Sequence, residues 1–542
     1  MERRRNCARW RTCTRSNEVV TSRFGKRSLF LNVFIVLASL LRIDPSLSGD
    51  SDFITRSGDH FMLHGRPFSF MGANAYYLPS LATLADTQSV KDVLADASAL
   101  GMKVIRMWAF HEGADTLDPT VIQFSPGMFN ERALRGLDYV LWQAEVHSVR
   151  VILALVGNWD DFGGMNQYVR WRVQMPFVGN GEQKFTKDDL EITISGEHGR
   201  SYRKAISEEL GHDDFYTDPT IRDWYKQYLT VLTQRVNAYT GTMYKDDPTI
   251  LGWELANEPR SSDRTGLMVR SWLAEMSSYL KTIDPIHLVG SGEEGFDITS
   301  VHYSLNSYHQ QQWMFDGTAG VSFSVNAEIP SLDFASIHLY PDFWNLPSNS
   351  GNAWIQDHTR IATTLNKPLI VGEFGARRFK ETTYSSWLST AIAENADGTL
   401  VWQMLGDRRS DTDGFGIRCP EQTDVCGILR RASVDFEAAT DGTSPPPAGF
   451  TLRQNYPNPF NGQTVVEYTL PVQAYVTIGV WNAIGQQVMV VYEGFQRPGV
   501  RRELVNADGL ASGAYFVRVS AQVVSSNGFE RFVETRSLLH LK

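Results

Sequence analysis

The chain has 542 residues, of which 42% are hydrophobic, 21% charged and 12% aromatic. That is ordinary globular composition, at a length that suits a large domain with an appendage better than one small module. The formal charge is −10, and residues 1–48 carry ten basic and three acidic side chains (+7), so the remainder carries −17. An acidic body of that kind is repelled by nucleic acid and by anionic membranes, and a neutral substrate suits it better. Fourteen Trp and twenty Tyr exceed what a core alone asks for. Flat aromatic faces in a cleft are one use for them.

The first element is Leu29–Leu41 (LFLNVFIVLASLL), thirteen residues, nearly all apolar, behind Arg23, Lys26 and Arg27. It is too short for a membrane span of about 20 residues but suits the apolar core of a signal peptide. Small residues follow at Ser46 and Ser48. Residues 1–48 are therefore expected to be a signal peptide with a long basic N-region, and no membrane span is expected.

From Phe53 a hairpin is expected in FITRSGDHFML, turning at Ser57–Gly58. Eight short apolar runs then alternate with amphipathic stretches. The runs predict strands at Phe68–Asn74, Val104–Met107, Arg150–Val156, Ile250–Leu255, His287–Gly290, Phe334–His338, Pro368–Glu373 and Gly398–Met404. The 3.6-residue period predicts helices at Ser89–Leu100, Glu131–His147, Thr220–Ala238, Met268–Thr282, Trp354–Leu365 and Thr383–Asn395. Strands alternating with helices imply a parallel sheet, and eight such units imply an α/β (β/α)8 TIM barrel, placed at 52–436. The stretch 179–207 is long, polar and Gly-containing, and fits no barrel element.

In a barrel of this kind the chemistry sits where strands end. The fourth strand ends in Trp253-Glu254-Leu255-Ala256-Asn257-Glu258-Pro259, and the seventh in Val371-Gly372-Glu373-Phe374-Gly375. Strands four and seven face each other across the mouth, so Glu258 and Glu373 could flank one bond. Glycoside cleavage needs such a pair, one carboxyl to protonate the leaving oxygen and one to attack or to activate water. A lone strand-end Glu is more often a salt-bridge partner. The pair, with Asn257 directly before Glu258, is harder to explain so. Arg106 ends the second strand, where it could hold the Glu373 carboxylate ionised. His338 and Tyr340 follow the sixth, and Trp402 on the eighth offers a face on which a sugar ring can stack.

Cys7 and Cys13 leave with the leader, and Cys419 and Cys426 remain with six residues between them. In an exported protein they read as a local disulfide stapling a loop after the last barrel strand. A metal site would need further His or Cys ligands nearby, and the sequence offers none there. Beyond a Pro-rich linker at 437–448, alternating runs at Thr464–Leu470, Tyr475–Trp481 and Ala514–Val519 predict a small β-sandwich over 449–542.

Two resemblances rest on these motifs. Asn455–Asn461 (NYPNPFN), Leu470–Pro471, Asn482–Val488 (NAIGQQV) and Leu510–Phe516 (LASGAYF) resemble the C-terminal sorting domain of type IX secretion cargo. That implies secretion machinery as a partner and a secreted or cell-surface location. The bland alternative is a carbohydrate-binding sandwich. Arg106–Phe110 (RMWAF), Val156–Gly164 (VGNWDDFGG), Asn237–Arg260 (ending WELANEPR) and His338–Trp344 (HLYPDFW) resemble the endo-β-1,4-mannanases of glycoside hydrolase family 5.

The second resemblance implies Glu258 as acid/base and Glu373 as nucleophile of a retaining hydrolase acting on β-mannan polysaccharides. It implies Arg106, Trp108, Asn257, His338, Tyr340 and Trp402 as contacts around the attacked sugar. Neither a metal nor an organic cofactor is expected. The rival readings are an endo-β-1,4-glucanase of the same clan and a surface glycan-binding protein without catalysis.

Overall fold

The computed structural model describes residues 52–174, 210–308, 311–419, 421–440, 449–496, 498–525 and 528–542. The expected signal peptide (1–48), the polar stretch 179–207 and the linker residues 441–448 lie outside the described residues.

Eight parallel strands form one sheet: β1 (Phe70–Asn74), β2 (Val104–Trp108), β3 (Arg150–Ala154), β4 (Ile250–Glu254), β5 (Leu288–Gly290), β6 (Ala335–Leu339), β7 (Leu369–Phe374) and β8 (Gly398–Val401). They pair in the order β5-β4-β3-β2-β1-β8-β7-β6. A parallel bridge from Gly290 to Phe334 joins the two ends and closes the barrel. β1, β4, β6 and β7 are buried at every position, which is why they read as unbroken apolar runs rather than as alternating ones.

Helices follow the strands: α1 (Thr87–Ala99), α2 (Glu131–Val146), α3 (Pro219–Thr233), α4 (Leu267–Ile283), α5 (Ser350–Thr364), α6 (Lys380–Glu394) and α7 (Thr423–Thr440). Three begin at side-chain caps. Asp86 accepts from the Ser89 N–H, Asn130 from Arg132, and Asp218 from Thr220 and Ile221, with Pro219 in the first helical position.

The barrel interior is closed at its N-terminal end by hydrocarbon. Phe70, Val104, Ile152, Leu251, Leu288, Phe334, Ile370 and Leu400, one residue from each strand or its first approach, form a single buried cluster. The hairpin of Thr55–Ser57 against His60–Leu63 adds Ile54 and Phe61, and the Phe61 ring meets Phe334 at 5.9 Å and Phe70 at 6.4 Å. Polar chemistry is thereby confined to the opposite mouth.

Two register shifts decide what faces that mouth. Ile337 pairs with Val371 but His338 with Glu373, so Gly372 is an extra residue on β7. Strict alternation from the interior Ile370 would turn Glu373 outward, and the bulge turns it in. A Cβ at Gly372 would meet Ser336 Oγ at 2.7 Å, so the bulge is built around a bare backbone. β4 uses the same device, with Val151 opposite Ile250 and Ile152 opposite Gly252.

The stretch after β8 is a correction to the loop expected there. Cys419 and Cys426 are joined in a disulfide, but Cys426 lies inside α7. Val425, Leu429, Ala432 and Phe436 recur at helical spacing and are buried, and that stripe makes the helix. It runs through Thr440, into the stretch expected to be linker.

The C-terminal strands are β9 (Gln463–Leu470), β10 (Ala474–Asn482), β11 (Gln487–Gln496), β12 (Gly499–Asn506), β13 (Gly513–Ser525) and β14 (Gly528–His540). Thr451–Leu452, β9 and β12 make one antiparallel sheet; β11, β10, β13 and β14 in that order make the other. Alternate residues, among them Val466, Tyr468, Val476, Ile478, Val517 and Val519, meet between the sheets. Among the described residues no helix is long and apolar enough to cross a membrane.

Candidate active site

Arg106 organises the mouth of the barrel. Its side chain is fully buried, and its planar fork reaches four partners. Nε donates to Glu254 Oε2 at 2.6 Å, Nη1 to Glu373 Oε1 at 2.7 Å and to Asn74 Oδ1 at 3.1 Å, and Nη2 to Asn257 Oδ1 at 2.8 Å. Burial works against its charge, but the carboxylates of Glu254 and Glu373 more than offset this and raise its pKa. Lysine, a point charge, could not serve four acceptors in fixed directions.

Glu373 is held at both oxygens. Arg106 donates to Oε1, and the Tyr340 hydroxyl donates to Oε2 at 2.6 Å. Burial raises its pKa, while His338, Arg106 and the Tyr340 hydrogen bond pull it down. Both charged or hydroxyl donors favour the carboxylate form.

Glu258 follows β4 with φ at +55°, in the left-handed region that non-glycine residues avoid. The backbone is fixed from two sides: Asn257 N–H donates to Val156 O at 2.7 Å, and Glu258 N–H to Gly292 O at 2.8 Å. Such strain persists where neighbours over-determine the chain. Its Oε2 accepts from Trp159 Nε1 at 2.6 Å, and Oε1 lies 2.7 Å from His338 Nδ1. Burial raises the Glu258 pKa, with Trp159, Arg260 and Arg106 opposing it. The His338 ring is buried too, which lowers its pKa and favours the neutral imidazole.

One donor atom from each of Glu258, His338 and Glu373 lies within 4.8 Å of the others, a grouping that could in principle hold a metal ion. The chemistry of the site argues otherwise. Arg106 and the Tyr340 hydroxyl already sit on the Glu373 carboxylate, and a divalent cation there would have to accept a guanidinium neighbour.

Aromatic faces line one side. Trp402 stacks on Tyr76 with centroids 5.3 Å apart and planes 6° from parallel, and its Nε1 donates to Asp413 Oδ2 at 2.9 Å. Trp108 lies 4.5 Å from Tyr76 and 6.5 Å from Trp402. Its indole N–H is buried and has no partner among the described residues, a donor left over for a ligand.

Thus the structure gathers Arg106, Asn257, Tyr340 and Glu373 into one hydrogen-bonded group and Glu258 with His338 into another, the two meeting where His338 Nδ1 comes within 3.6 Å of Glu373 Oε2, with Trp108 and Trp402 beside them. Cys419 and Cys426 stand apart, in the stretch after β8. The sequence reading left out Asn74, Trp159, Glu254, Arg260, Glu294 and Asp413. Trp159 and Arg260 lie in motifs already singled out, and the Arg260 guanidinium sits 5.2 Å from the Trp159 ring centre. Arg260 also clasps Glu294 through Nε at 2.6 Å and Nη2 at 2.7 Å. Burial, then the charge of Glu258, pushes the Glu294 carboxyl up to about 7. Glu294 follows β5, so the strand-end rule applied to Gly-Ser-Gly-Glu-Glu would have found it. Asp413 lies in a loop with no such signal.

A parallel eight-stranded barrel with two facing carboxyl groups at its C-terminal mouth defines a barrel glycosidase. The comparisons with known proteins agree. Residues 51–405 match the family described as "GH family 5 beta-mannosidase-like", and residues 454–528 match "Secretion system C-terminal sorting domain". A tomato (Solanum lycopersicum) relative, "Mannan endo-1,4-beta-mannosidase 4", is 34% identical over 424 residues, 74% of this chain and 96% of its own. A rice (Oryza sativa subsp. japonica) relative, "Mannan endo-1,4-beta-mannosidase 8", is 36% identical over 400 residues, 69% of this chain and 96% of its own. Among solved structures, an endo-β-1,4-mannanase from Thermotoga petrophila aligns over 89% of this chain and 99% of its own, with TM-score 0.62 and 26% identity. One from Rhizomucor miehei aligns over 72% and 99%, with TM-score 0.58 and 30% identity. The chain belongs to glycoside hydrolase family 5 and carries a C-terminal secretion sorting domain.

Proposed function

We propose that this chain is an exported, endo-acting hydrolase that cleaves β-1,4-mannosidic bonds in mannan, galactomannan or glucomannan with retention of configuration. The observation that carries the reading is the closeness of the two carboxyl groups, within 4.8 Å at their facing oxygens. Retaining enzymes hold the pair about 5–5.5 Å apart, whereas inverting ones leave about 6.5–9.5 Å for a water.

Glu373, its charge held by Arg106 and Tyr340, attacks the anomeric carbon. The glycosidic oxygen leaves with the proton of Glu258. A water then forms the new bond to the anomeric carbon, passing its proton to Glu258, and Glu373 departs as carboxylate. Asn257 Oδ1 is taken by Arg106, so its side-chain N–H2 is the group left to donate to the sugar 2-hydroxyl. Trp402 supplies the stacking face and Trp108 Nε1 a further donor.

The names of the relatives favour mannan. Export is supported by the apolar segment Leu29–Leu41 in the expected leader and by the sorting-domain match at 454–528. The rival substrate is a β-1,4-glucan, which differs in the C2 hydroxyl, axial in mannose and equatorial in glucose. Reducing-sugar release from galactomannan with none from carboxymethylcellulose is the expected result. The reverse preference would make the chain a glucanase.

A further inference from the structure

The apolar core of the barrel and that of the C-terminal sandwich are separate clusters. Polar contacts join the two. β12 is the outer strand of its sheet and lies along α6. Such an edge exposes backbone acceptors that must be covered or hydrated. Ser386 and Ser389, one turn apart on α6, donate to the carbonyls of Arg502 (2.9 Å) and Val500 (3.5 Å). Arg501, nearly fully buried, donates through Nη1 to Glu394 Oε1 at 2.8 Å. Glu503, also buried, accepts from Asn352 of α5 at 2.7 Å and from Gln496 of its own module at 2.7 Å. An open groove lies beside the seam, lined by Glu381, Arg431, Arg453, Glu467 and Arg502 among others.

We propose that this seam is a reversible docking interface, on which the C-terminal module seats as an internal partner of the barrel and from which it leaves without exposing apolar core. Obligate interfaces are built like a core cut in half, whereas separable ones are more polar and wet at the rim. Serines, Asn352 and Glu394 left behind on the barrel can all be hydrated. The module for its part regains a bare strand edge.

The seam also carries a pH dependence. Glu503 is faced by Arg501 on β12, Tyr468 on β9, Tyr492 and Gln496 on β11, Asn352 on α5 and Glu394 on α6, and Asp357 of α5 acts on the neighbouring Tyr492. Burial pushes its carboxyl up to about 7 against the pull of Asn352, Gln496 and Arg501. The docked form therefore binds the proton more tightly than the released one. Docking is strongest below the ordinary carboxylate range and weakens as pH rises to about 7.

The test places a protease site within residues 443–447 of the full chain, cuts it, and follows the two pieces by sedimentation from pH 5 to pH 8. The expected result is association at pH 5, with a dissociation constant that rises by up to about tenfold per pH unit until about pH 7, and a released barrel that stays folded and monomeric by circular dichroism and sedimentation. Glu503→Gln, which removes the charge and keeps one acceptor for its two amide donors, should flatten the pH dependence while the pieces still associate, if less tightly. Ser386→Ala with Ser389→Ala should weaken association at every pH. Pieces that never associate, pieces that part only on unfolding, a released barrel that precipitates, or equal affinity at pH 5 and pH 8 would overturn the proposal.

Discussion

His338 Nδ1 and Glu258 Oε1 lie 2.7 Å apart, and the other ring nitrogen of His338 is buried with no partner among the described residues. Nothing on Nε2 therefore fixes the tautomer of a neutral imidazole. The ring can accept from Glu258 when the carboxyl holds its proton, and can donate through Nδ1 when it does not. In the acid/base role proposed for Glu258, the carboxyl would keep this hydrogen bond through both of its protonation states.

Trp159 is the donor on the other oxygen of Glu258, and by stabilising the carboxylate it holds the pKa down against burial. Trp159→Phe keeps the ring and loses the N–H. The Glu258 carboxyl should then rise further, and since the acid form is needed for leaving-group departure, the alkaline limb of kcat/KM should move to higher pH. A limb that stays or moves to lower pH would show that Glu258 is not the group titrating there.

Arg106→Lys keeps a charge at the hub and loses the fork. The Glu373 carboxylate would be less well oriented, so kcat is expected to fall on the order of 10²-fold, as for loss of one preorganised electrostatic partner. KM should change little, because the fork acts on the nucleophile rather than on distant sugar units. Steady-state kinetics on mannohexaose decides; an unchanged kcat with a raised KM would assign Arg106 to substrate binding instead.

Gly372→Ala probes the bulge. The new Cβ would press on Ser336 Oγ at 2.7 Å and touch the His338 ring at 3.4 Å. The fold should survive, since one close contact costs typically about 1–3 kcal/mol. Activity should fall at least tenfold, because about 1.4 kcal/mol of lost alignment already does that. Thermal unfolding measured beside kcat separates the two effects. A variant with full activity would mean that the bulge does not set the aim of Glu373.

How much of this was legible follows from where each residue sits. Arg106, His338 and Glu373 lie toward the ends of apolar strands and Asn257 and Glu258 just beyond one, and the barrel rule converts such a place into a position at the mouth. The bulge at Gly372 was hidden, because alternation counts residues and cannot see which one the partner strand skips. α7 was missed although Val425, Leu429, Ala432 and Phe436 carry the helical period, because the cysteine pair and Gly427 drew the stretch toward a loop reading. Asp413 reaches Trp402 from a loop whose path depends on distant contacts such as Arg377 Nε to the Asp413 carbonyl at 2.9 Å. No local pattern encodes such a contact.

The most direct test of the two glutamates is the configuration of the azide product from each alanine variant on an aryl β-mannoside, read by one NMR spectrum apiece. With Glu258→Ala the glycosyl-enzyme still forms on Glu373, and azide, which needs no base, should release it as the β-mannosyl azide. With Glu373→Ala no covalent intermediate forms, and azide entering the vacated face should give the α-mannosyl azide. An α product from Glu258→Ala together with a β product from Glu373→Ala would contradict the assignment and exchange the two roles.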